Sequence, residues 1–264
     1  MIKTRLTTAA MLTTVLMTVL ATFTATSSSM AAEPVADNTA VITDAAPLKP
    51  FEARYEARAM GMRAKAYRTL QLVEGEVYRL QNSVTLTLLG ATVGSVAESS
   101  EFRWLAGDLI PLQYRYDQTG ISSRSESVDF DWASNVAQST YKDESWSLPL
   151  QPGIMDKLSY GTRMGRDIST GGLTEVSYNI VDAEDIEVHL YRVTAEEVLS
   201  TPAGNLNTLR IERIRDPGSS RKTTVWLAKD WGYLLVRLEQ VSDSGTTELE
   251  LESATVDGQA LMGL

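Results

Sequence analysis

The most regular feature of the chain is an alternation of apolar and charged residues that begins at Phe51. In FEARYEARA (51–59), the odd positions carry Phe, Ala or Tyr, and the even positions carry glutamate or arginine. Successive side chains of a β-strand point to opposite faces, so a period of two predicts a strand with one buried and one solvated face. The same alternation recurs at 128–132, 209–212 and 248–252.

Turn signals separate these segments, among them Glu74-Gly75, Pro217-Gly218 and Ser244-Gly245. Near the middle, Ile154 and Leu158 indicate a short helix, although nearby glycines weaken it. Polar outer faces argue against a parallel sheet covered by helices, and a sheet of this many strands must curl or close. We therefore predict a mainly β protein: one strongly curved antiparallel sheet or half-open barrel of about eleven or twelve strands, with one short helix. The concave face of such a sheet is either packed or holds a ligand.

The N-terminus is typical of a secretory signal peptide, with Lys3 and Arg5 before an apolar stretch and small residues after it. We predict cleavage after Ala31 and export to the periplasm. Threonines make the apolar stretch a poor membrane span, so no stable span is expected after cleavage. Residues 32–50 are rich in Ala, Pro, Asp and Thr and are predicted to be a flexible linker. Residues 51–261 are then expected to form a single β domain.

Charge and cysteine content narrow the possible partners. Without residues 1–31 the chain carries 22 basic and 34 acidic side chains, a net charge of −12 with its single histidine neutral. Because phosphate backbones are contacted by Lys and Arg, general nucleic-acid binding is not expected. The chain has no cysteine, so it can form no disulfide, and no lipid can be attached at a cysteine.

The sequence offers little that is typical of catalysis. Ser139 and Lys142 match S-x-x-K, but they lie in a strand-to-turn segment without the companion motifs. His189 should share a strand face with Glu187 and Tyr191, and a half-exposed strand residue is the simpler interpretation. The acidic pairs and clusters, Asp129 with Asp131 and 182–185, are best interpreted as solvated, since neither has a known calcium-loop spacing. We expect no enzyme activity, no metal and no cofactor.

Two further features are candidates for binding. The stretch TLTLLGATVGSV (85–96) is apolar where a turn should be polar, which is typical either of a lid or contact surface or of a turn packed on its own core. Basic residues are also dense for an acidic chain, in two groups. The first group is Arg54, Arg58, Arg63, Lys65 and Arg68, and the second is Arg210, Arg213, Arg215, Arg221 and Lys222. They could receive a phosphate or carboxylate head group if their strands adjoin, although solvated faces interleaved with glutamate are the simpler explanation.

The segment VWLAKDWGYLLVRLEQ (225–240) contains a Lys-Asp pair that could belong either to a catalytic pocket or to a turn. Its apolar periodicity favours two strands joined by a hairpin loop at Lys229–Gly232, with Gly232 free to adopt a positive φ. Trp226 lies on the strand face opposite to Val225 and Leu227.

Several stretches together resemble the domain of unknown function 3108 family of exported bacterial envelope proteins. They are FEARYEAR (51–58), ESSEFRW (98–104), PLQYRYDQTG (111–120), FDW (130–132), WSLPLQPGIMDKLS (146–159), TPAGNLNTLRIERIRD (201–216) and TTVWLAKDWGYLLVRLEQ (223–240). The resemblance covers about 51–253 and implies a curved antiparallel sheet in one domain. More distantly, it implies a likeness to the half-open barrels of lipoprotein carriers, which hold acyl chains on a concave face with a helix as a plug. It supplies no catalytic residues.

Together these observations predict a periplasmic, non-enzymatic binding or carrier domain for an apolar or amphiphilic, lipid-like ligand. The alternative is an envelope structural or assembly factor with a packed interior, acting through contact with another envelope protein. A hydrolase is the least supported class. The candidate ligand-binding residues are Leu86, Leu88, Val93, Tyr114, Tyr116 and Trp226.

Overall fold

The computed structural model describes residues 47–120 and 123–264. The predicted signal peptide and most of the predicted linker lie outside the described residues. The strands are β1 Phe51–Ala59, β2 Met62–Glu74, β3 Val77–Leu88, β4 Ala91–Leu105, β5 Asp108–Gly120, β6 Arg124–Asp131, β7 Val136–Tyr141, β8 Glu144–Pro149, β9 Ile154–Met155, β10 Glu175–Asp182, β11 Asp185–Thr201, β12 Gly204–Ile214, β13 Lys222–Ala228, β14 Leu234–Ser242, β15 Gly245–Val256 and β16 Gln259–Ala260. One α-helix, α1, spans Tyr160–Gly171, and a 3-10 turn spans Lys229–Trp231.

All sixteen strands belong to one sheet whose two halves meet at the first strand. β1 to β8 run as an antiparallel meander towards one edge, and β10 to β15 run as a second meander that ends beside β1. The N-terminal strand therefore lies in the middle of the sheet, between β2 and β15. β8 and β9 form the two edges, and β9 pairs in parallel with β10. The sheet is curved and does not close by hydrogen bonding between its edges.

The predicted fold class is confirmed, and the alternation in β1 has the predicted consequence. Ala53, Tyr55 and Ala57 are buried, whereas Glu52 and Arg54 are exposed. The strand count is higher than predicted: the two-residue strands β9 and β16 are too short to show a period of two, and the alternation of Trp146 and Leu148 with serines in β8 was not recognised as a strand. The helix begins at Tyr160 rather than near Ile154, since Ile154 and its neighbour pair with β10 instead.

The corner between β13 and β14 forms as predicted. Gly232 has a φ of 67°, and the amide of Tyr233 donates to the carbonyl of Ala228 at 2.9 Å. Lys229 forms an ion pair with Glu196 at the surface, and Asp230 accepts a hydrogen bond from Asn207. The Lys-Asp pair thus belongs to a turn.

A buried carboxylate fixes the segment that leads into α1. Asp156 is fully buried, and its Oδ1 accepts hydrogen bonds from the amides of Leu158 and Ser159, both at 2.8 Å. Its Oδ2 accepts from the hydroxyls of Ser159 and of Ser100 on β4, both at 2.7 Å. Asp156 therefore attaches the start of the helix to the first meander.

The next residue, Lys157, connects the two halves of the curled sheet. Its ammonium group lies 2.8 Å from Glu126 Oε2 on β6 and also pairs with Asp182 on β10. Arg124 approaches the other oxygen of Glu126 at 3.0 Å. Ion pairs this deeply buried are costly to break, since the remaining partner would be left charged in a poorly solvated site. α1 is thereby held against the concave face, where Leu158, Met164 and Ile168 join the main core. Gly165 permits the close approach, because a Cβ there would lie 2.8 Å from the Cβ of Tyr233.

We expect Asp156→Ala to lower the free energy of unfolding by about 3 kcal/mol, because it leaves buried donors of Ser100 and Ser159 unpaired. Asp131→Ala is the control, since Asp131 accepts bonds from two amides and one hydroxyl, those of Ala133 and Ser134, in an exposed turn and lacks only a counterpart of the Ser100 bond. That variant should lose about 1 kcal/mol. Urea denaturation measures both values, and equal losses would contradict a special role for Asp156.

Candidate binding cavity

A cavity of about 530 Å³ lies between the concave face of the sheet and α1. Strands of both meanders line it on one side, and Leu158, Met164 and Gly165 line it from the helical segment. Some of its lining residues are exposed, including Pro47, Ser169 and Gly232, so the cavity reaches the surface near them. Its volume falls within the range of about 300–1,000 Å³ that is usual for small-molecule sites.

Most of the lining is apolar. The first meander contributes Phe51, Ala57, Leu70, Val84 and Val96, and the second contributes Val225, Leu227, Leu235, Leu238 and Leu249. These side chains come from alternating positions of neighbouring strands: Val225 lies opposite Leu238, and Leu249 lies opposite Ala57. The cavity is therefore a direct product of the period-two pattern on a curled sheet.

A buried glutamate forms part of the wall on the β4 side. Glu98 Oε1 accepts a hydrogen bond from the Tyr114 hydroxyl at 2.8 Å, and Oε2 accepts one from Asn82 Nδ2 at 3.0 Å. Burial raises the pKa of Glu98 to about 7, against the opposing effect of these two hydrogen bonds. Glu98 therefore changes charge near neutral pH inside the cavity.

Another part of the lining carries His189 with Tyr160 and Tyr191, and Tyr178 packs beside them. Tyr160 of α1 packs on Tyr178, His189 and Tyr191, with ring centroids 5.7–6.1 Å apart, and the Tyr191 hydroxyl donates to that of Tyr160 at 3.0 Å. His189 Nε2 lies 3.0 Å from Glu187 Oε2. Burial lowers the pKa of His189, and the nearby Arg213 lowers it further.

Three arginines of the second basic group also line the cavity: Arg213, Arg215 and Arg221, which we name the arginine cluster. Arg210 and Lys222 lie instead on the outer face, where Arg210 Nε donates to Thr194 and Lys222 pairs with Glu212. The sequence-based interpretation of a solvated face is therefore wrong for the arginine cluster. It holds for Arg58, Arg63 and Lys65, which pair with glutamates on the outer face.

The six residues predicted to bind ligand occupy different places. Tyr116 lines the cavity, and Leu86 lines a smaller pocket of about 30 Å³ beside Ala59 and Met62. The other four line neither space. Tyr114 is buried behind Glu98, and Val93 is partly buried near the β3–β4 turn. Whether any of the six contacts a ligand stays a prediction.

Leu88 and Trp226 both lie outside the cavity, Leu88 on the surface and Trp226 in a buried cluster. Leu88 is exposed, and Leu89 beside it is fully exposed, so this apolar turn does not pack on the core of the chain. Trp226 is buried on the face away from Val225 and Leu227, where its indole N–H donates to Glu197 at 2.7 Å. The guanidinium of Arg237 lies 5.7 Å from its ring centroid.

The sequence analysis missed most of the polar residues of the cavity. His189 is only 9% exposed, while its neighbour Val188 is 67% exposed, so the polar face of β11 is the inner one. Asp182 was expected to be solvated and instead pairs with buried Lys157. Asp129 does lie on the surface, in an ion pair with Arg115. In the described ranges, no group of three or more His, Asp or Glu side chains is placed to hold a metal ion.

The fold and this cavity define the class of protein: a curled antiparallel β-sheet with one inserted helix and a ligand-sized interior space. The chain belongs to the family described as Protein of unknown function (DUF3108), whose model matches residues 50–252. A comparison with curated proteins gives no match. Within residues 47–120 and 123–264, no helix has the length and apolar character needed to cross a membrane.

Two solved structures match most of this chain. One is the β-barrel-like protein of domain of unknown function DUF1849 from Brucella abortus, at 10% identity and a TM-score of 0.53, covering 80% of this chain and 99% of that one. The other is a lipoprotein described as putative from Parabacteroides distasonis, at 14% identity, covering 79% and 97% of the two chains. Its TM-score of 0.27 is too low to support an argument. The first likeness supports a barrel-like fold.

Glu98 should make stability depend on pH. Between pH 4.5 and about 7 the native state holds a proton on Glu98 that the unfolded state has lost, so the free energy of unfolding falls as pH rises through this window. For this group the fall is on the order of 3 kcal/mol. In Glu98→Gln the contribution of Glu98 to this decrease in the free energy of unfolding should vanish. Urea denaturation of the variant and the wild type at pH 5 and pH 8 measures the difference. Glu101→Gln is the control on the same strand, since Glu101 pairs with Arg79 away from the cavity. An unchanged pH slope in Glu98→Gln would contradict the assignment.

Proposed function

We propose that this protein is a non-enzymatic binding or carrier domain of the cell envelope that holds an apolar or amphiphilic, lipid-like ligand in its concave cavity. The observation that carries the proposal is the cavity itself, about 530 Å³ of space bounded mainly by aliphatic side chains and connected to the surface. Export to the periplasm, which the N-terminal residues predict, is part of the proposal.

The energetics of such a site favour a ligand with a chain. Each buried methylene contributes about 0.8 kcal/mol, while association costs about 4–15 kcal/mol in lost motion and ordering. About ten buried methylenes contribute about 8 kcal/mol, which exceeds the lower part of this range, and the lower part applies to a site that is largely formed beforehand. The anchors of Asp156 and Lys157 supply this pre-formed geometry, because they fix α1 before any ligand arrives.

The two other functional classes have less support. An assembly factor with a packed interior is disfavoured by the open volume on the concave face. A hydrolase built on His189 would need a nucleophile within hydrogen-bonding distance of its ring, whereas in the described part of the chain Nε2 pairs with Glu187 and Nδ1 has no hydrogen-bonding partner.

A series of fatty acids with eight to sixteen carbons should bind with affinities that rise about fourfold per methylene, from 0.8 kcal/mol each. The rise should stop when the cavity is full. Displacement of a fluorescent fatty acid gives the dissociation constants, and native mass spectrometry gives the stoichiometry. If no member of the series binds, the carrier proposal is wrong.

A larger side chain in the cavity lining should weaken fatty-acid binding. Leu238→Trp adds a large side chain to the lining, and we expect fatty-acid affinity to fall at least about tenfold, or ~1.4 kcal/mol. Val241→Trp is the matched control, because Val241 lies on the same strand and is exposed. Thermal unfolding checks that both variants fold. Equal affinities for a folded Leu238→Trp and the wild type would place the ligand elsewhere.

A further inference from the structure

The arginine cluster converges on one end of the cavity. On β12, Arg213 lies opposite Tyr191 of β11, and continuing that register by two residues places Arg215 opposite His189. On the other side, Glu212 pairs with Thr224 of β13; the same register continues to Arg213 beside Thr223 and to Arg215 opposite Arg221. The three arginines line the cavity together with Tyr191, His189 and Thr223. One row of cross-strand neighbours contains Arg213, and the next row contains Arg215 and Arg221. The three guanidinium groups therefore face the same part of the cavity.

The cluster has little negative charge to balance it. Arg213 lies 3.7 Å from Glu187, which also pairs with His189. Neither Arg215 nor Arg221 has a carboxylate within 4 Å among the described residues. Burial and the neighbouring Arg213 lower the pKa of Arg215 to about 10, and the same two causes lower the pKa of Arg221. Like charges placed side by side on a sheet destabilise it, so the three guanidinium groups repel one another, and among the described residues only Arg213 has a carboxylate within 4 Å to offset this repulsion.

Buried polar atoms without partners lie at the same place. Arg213 Nε, Arg215 Nη1, His189 Nδ1 and Thr223 Oγ1 are buried and make no hydrogen bond within residues 47–120 and 123–264. Native proteins rarely leave such groups unpaired, because each costs roughly 1–3 kcal/mol. Four of them lining one end of one cavity indicate that a molecule with several acceptor oxygens belongs there.

We propose that the arginine cluster binds the anionic head group, a phosphate or a carboxylate, of the ligand that occupies the cavity. Guanidinium groups suit such oxyanions because they donate two parallel hydrogen bonds. The inference rests on the proposed function and narrows its ligand to amphiphiles with a negatively charged end.

The apolar lining continues from the head-group end along one strand. Arg221, Thr223, Val225 and Leu227 all line the cavity at two-residue steps. At about 3.3 Å per residue, the path from Arg221 to Leu227 spans about 20 Å. Along this face of the β13 segment, the cation of Arg221 is followed by the hydroxyl of Thr223 and then by the aliphatic side chains of Val225 and Leu227. This order matches a molecule with an anionic head group and an apolar tail.

Binding of five probes tests the proposal: dodecyl phosphate, dodecanoate, dodecanol, dodecyltrimethylammonium and inorganic phosphate, all below micellar concentrations. Displacement of a fluorescent fatty acid reports the four amphiphiles, and calorimetry reports inorganic phosphate as well. We expect dodecyl phosphate and dodecanoate to bind at least about tenfold more tightly than dodecanol and the cationic amphiphile. Inorganic phosphate alone should bind at least about a hundredfold more weakly than dodecyl phosphate.

A charge-matched pair of double variants separates the cluster from general electrostatics. Arg215→Gln/Arg221→Gln should lose at least about tenfold affinity for dodecyl phosphate and keep its affinity for dodecanol. The control is Arg192→Gln/Arg210→Gln, which removes the same charge from exposed positions where Arg192 pairs with Glu175 and Arg210 contacts Thr194. Without ligand, the cluster variant should unfold at a temperature no lower than the control, because it relieves repulsion.

The outcomes are distinguishable. Equal affinities of the wild type for dodecyl phosphate and dodecanol would overturn the head-group assignment and leave the carrier function intact. Binding of inorganic phosphate as tight as that of dodecyl phosphate would identify a site for a free anion and overturn the amphiphile. Failure of all four amphiphiles to bind would overturn the proposed function. A cluster variant that unfolds below the control would show that Arg215 and Arg221 stabilise the fold, against the proposal.

Discussion

The arrangement of this protein depends on the two charged residues that precede its helix. Asp156 attaches the start of α1 to Ser100 on β4, and Lys157 joins Glu126 on β6 to Asp182 on β10. The edges of the curled sheet do not pair with each other, so these buried polar contacts, rather than a closing strand pair, hold the two meanders around the helix. Buried ion pairs need not add net stability relative to apolar residues; their effect here is to define one position for the helix over the concave face.

The helix held in this way does not fill the concave side of the sheet, and the cavity lies between the two. α1 contacts the sheet through Leu158, Met164, Ile168 and the close approach at Gly165, while aliphatic side chains of both meanders remain uncovered beneath it. The polar lining residues come from both meanders and from the helical segment, among them Arg68, Asn82 and Arg166. Glu98, with its pKa near 7, lies in the wall formed by the first meander, and the arginine cluster lies in the wall formed by the second. An amphiphile would thus meet an oriented site, and its binding would respond to pH and to salt.

Much of the fold could be predicted because the two faces of a β-strand appear in the sequence as an alternation of apolar and polar residues. The alternation at Phe51–Ala59 and the hairpin at Lys229–Gly232 appear in the structure as expected. The two-residue strand β9 could not be foreseen, since its partner β10 lies about 25 residues further along the chain. β16 was missed because a two-residue strand is too short to show a period of two. Among the predicted ligand-binding residues, Tyr116 lines the cavity and Trp226 packs outside it. Their sequence patterns alone do not distinguish these two environments.

The sequence by itself determined the strand pattern, the turns, the family and the acidic character of the chain, because these depend on local periodicity and composition. The tertiary structure decided which face of each strand is inside. On β11 the inner face carries His189 and Glu187 while Val188 is exposed, and on β12 it carries Arg213 while Arg210 lies outside. A period of two separates two faces without saying which one will be covered. The covering element here, α1, is formed by residues 160–171, so no local pattern in β11 or β12 records its presence.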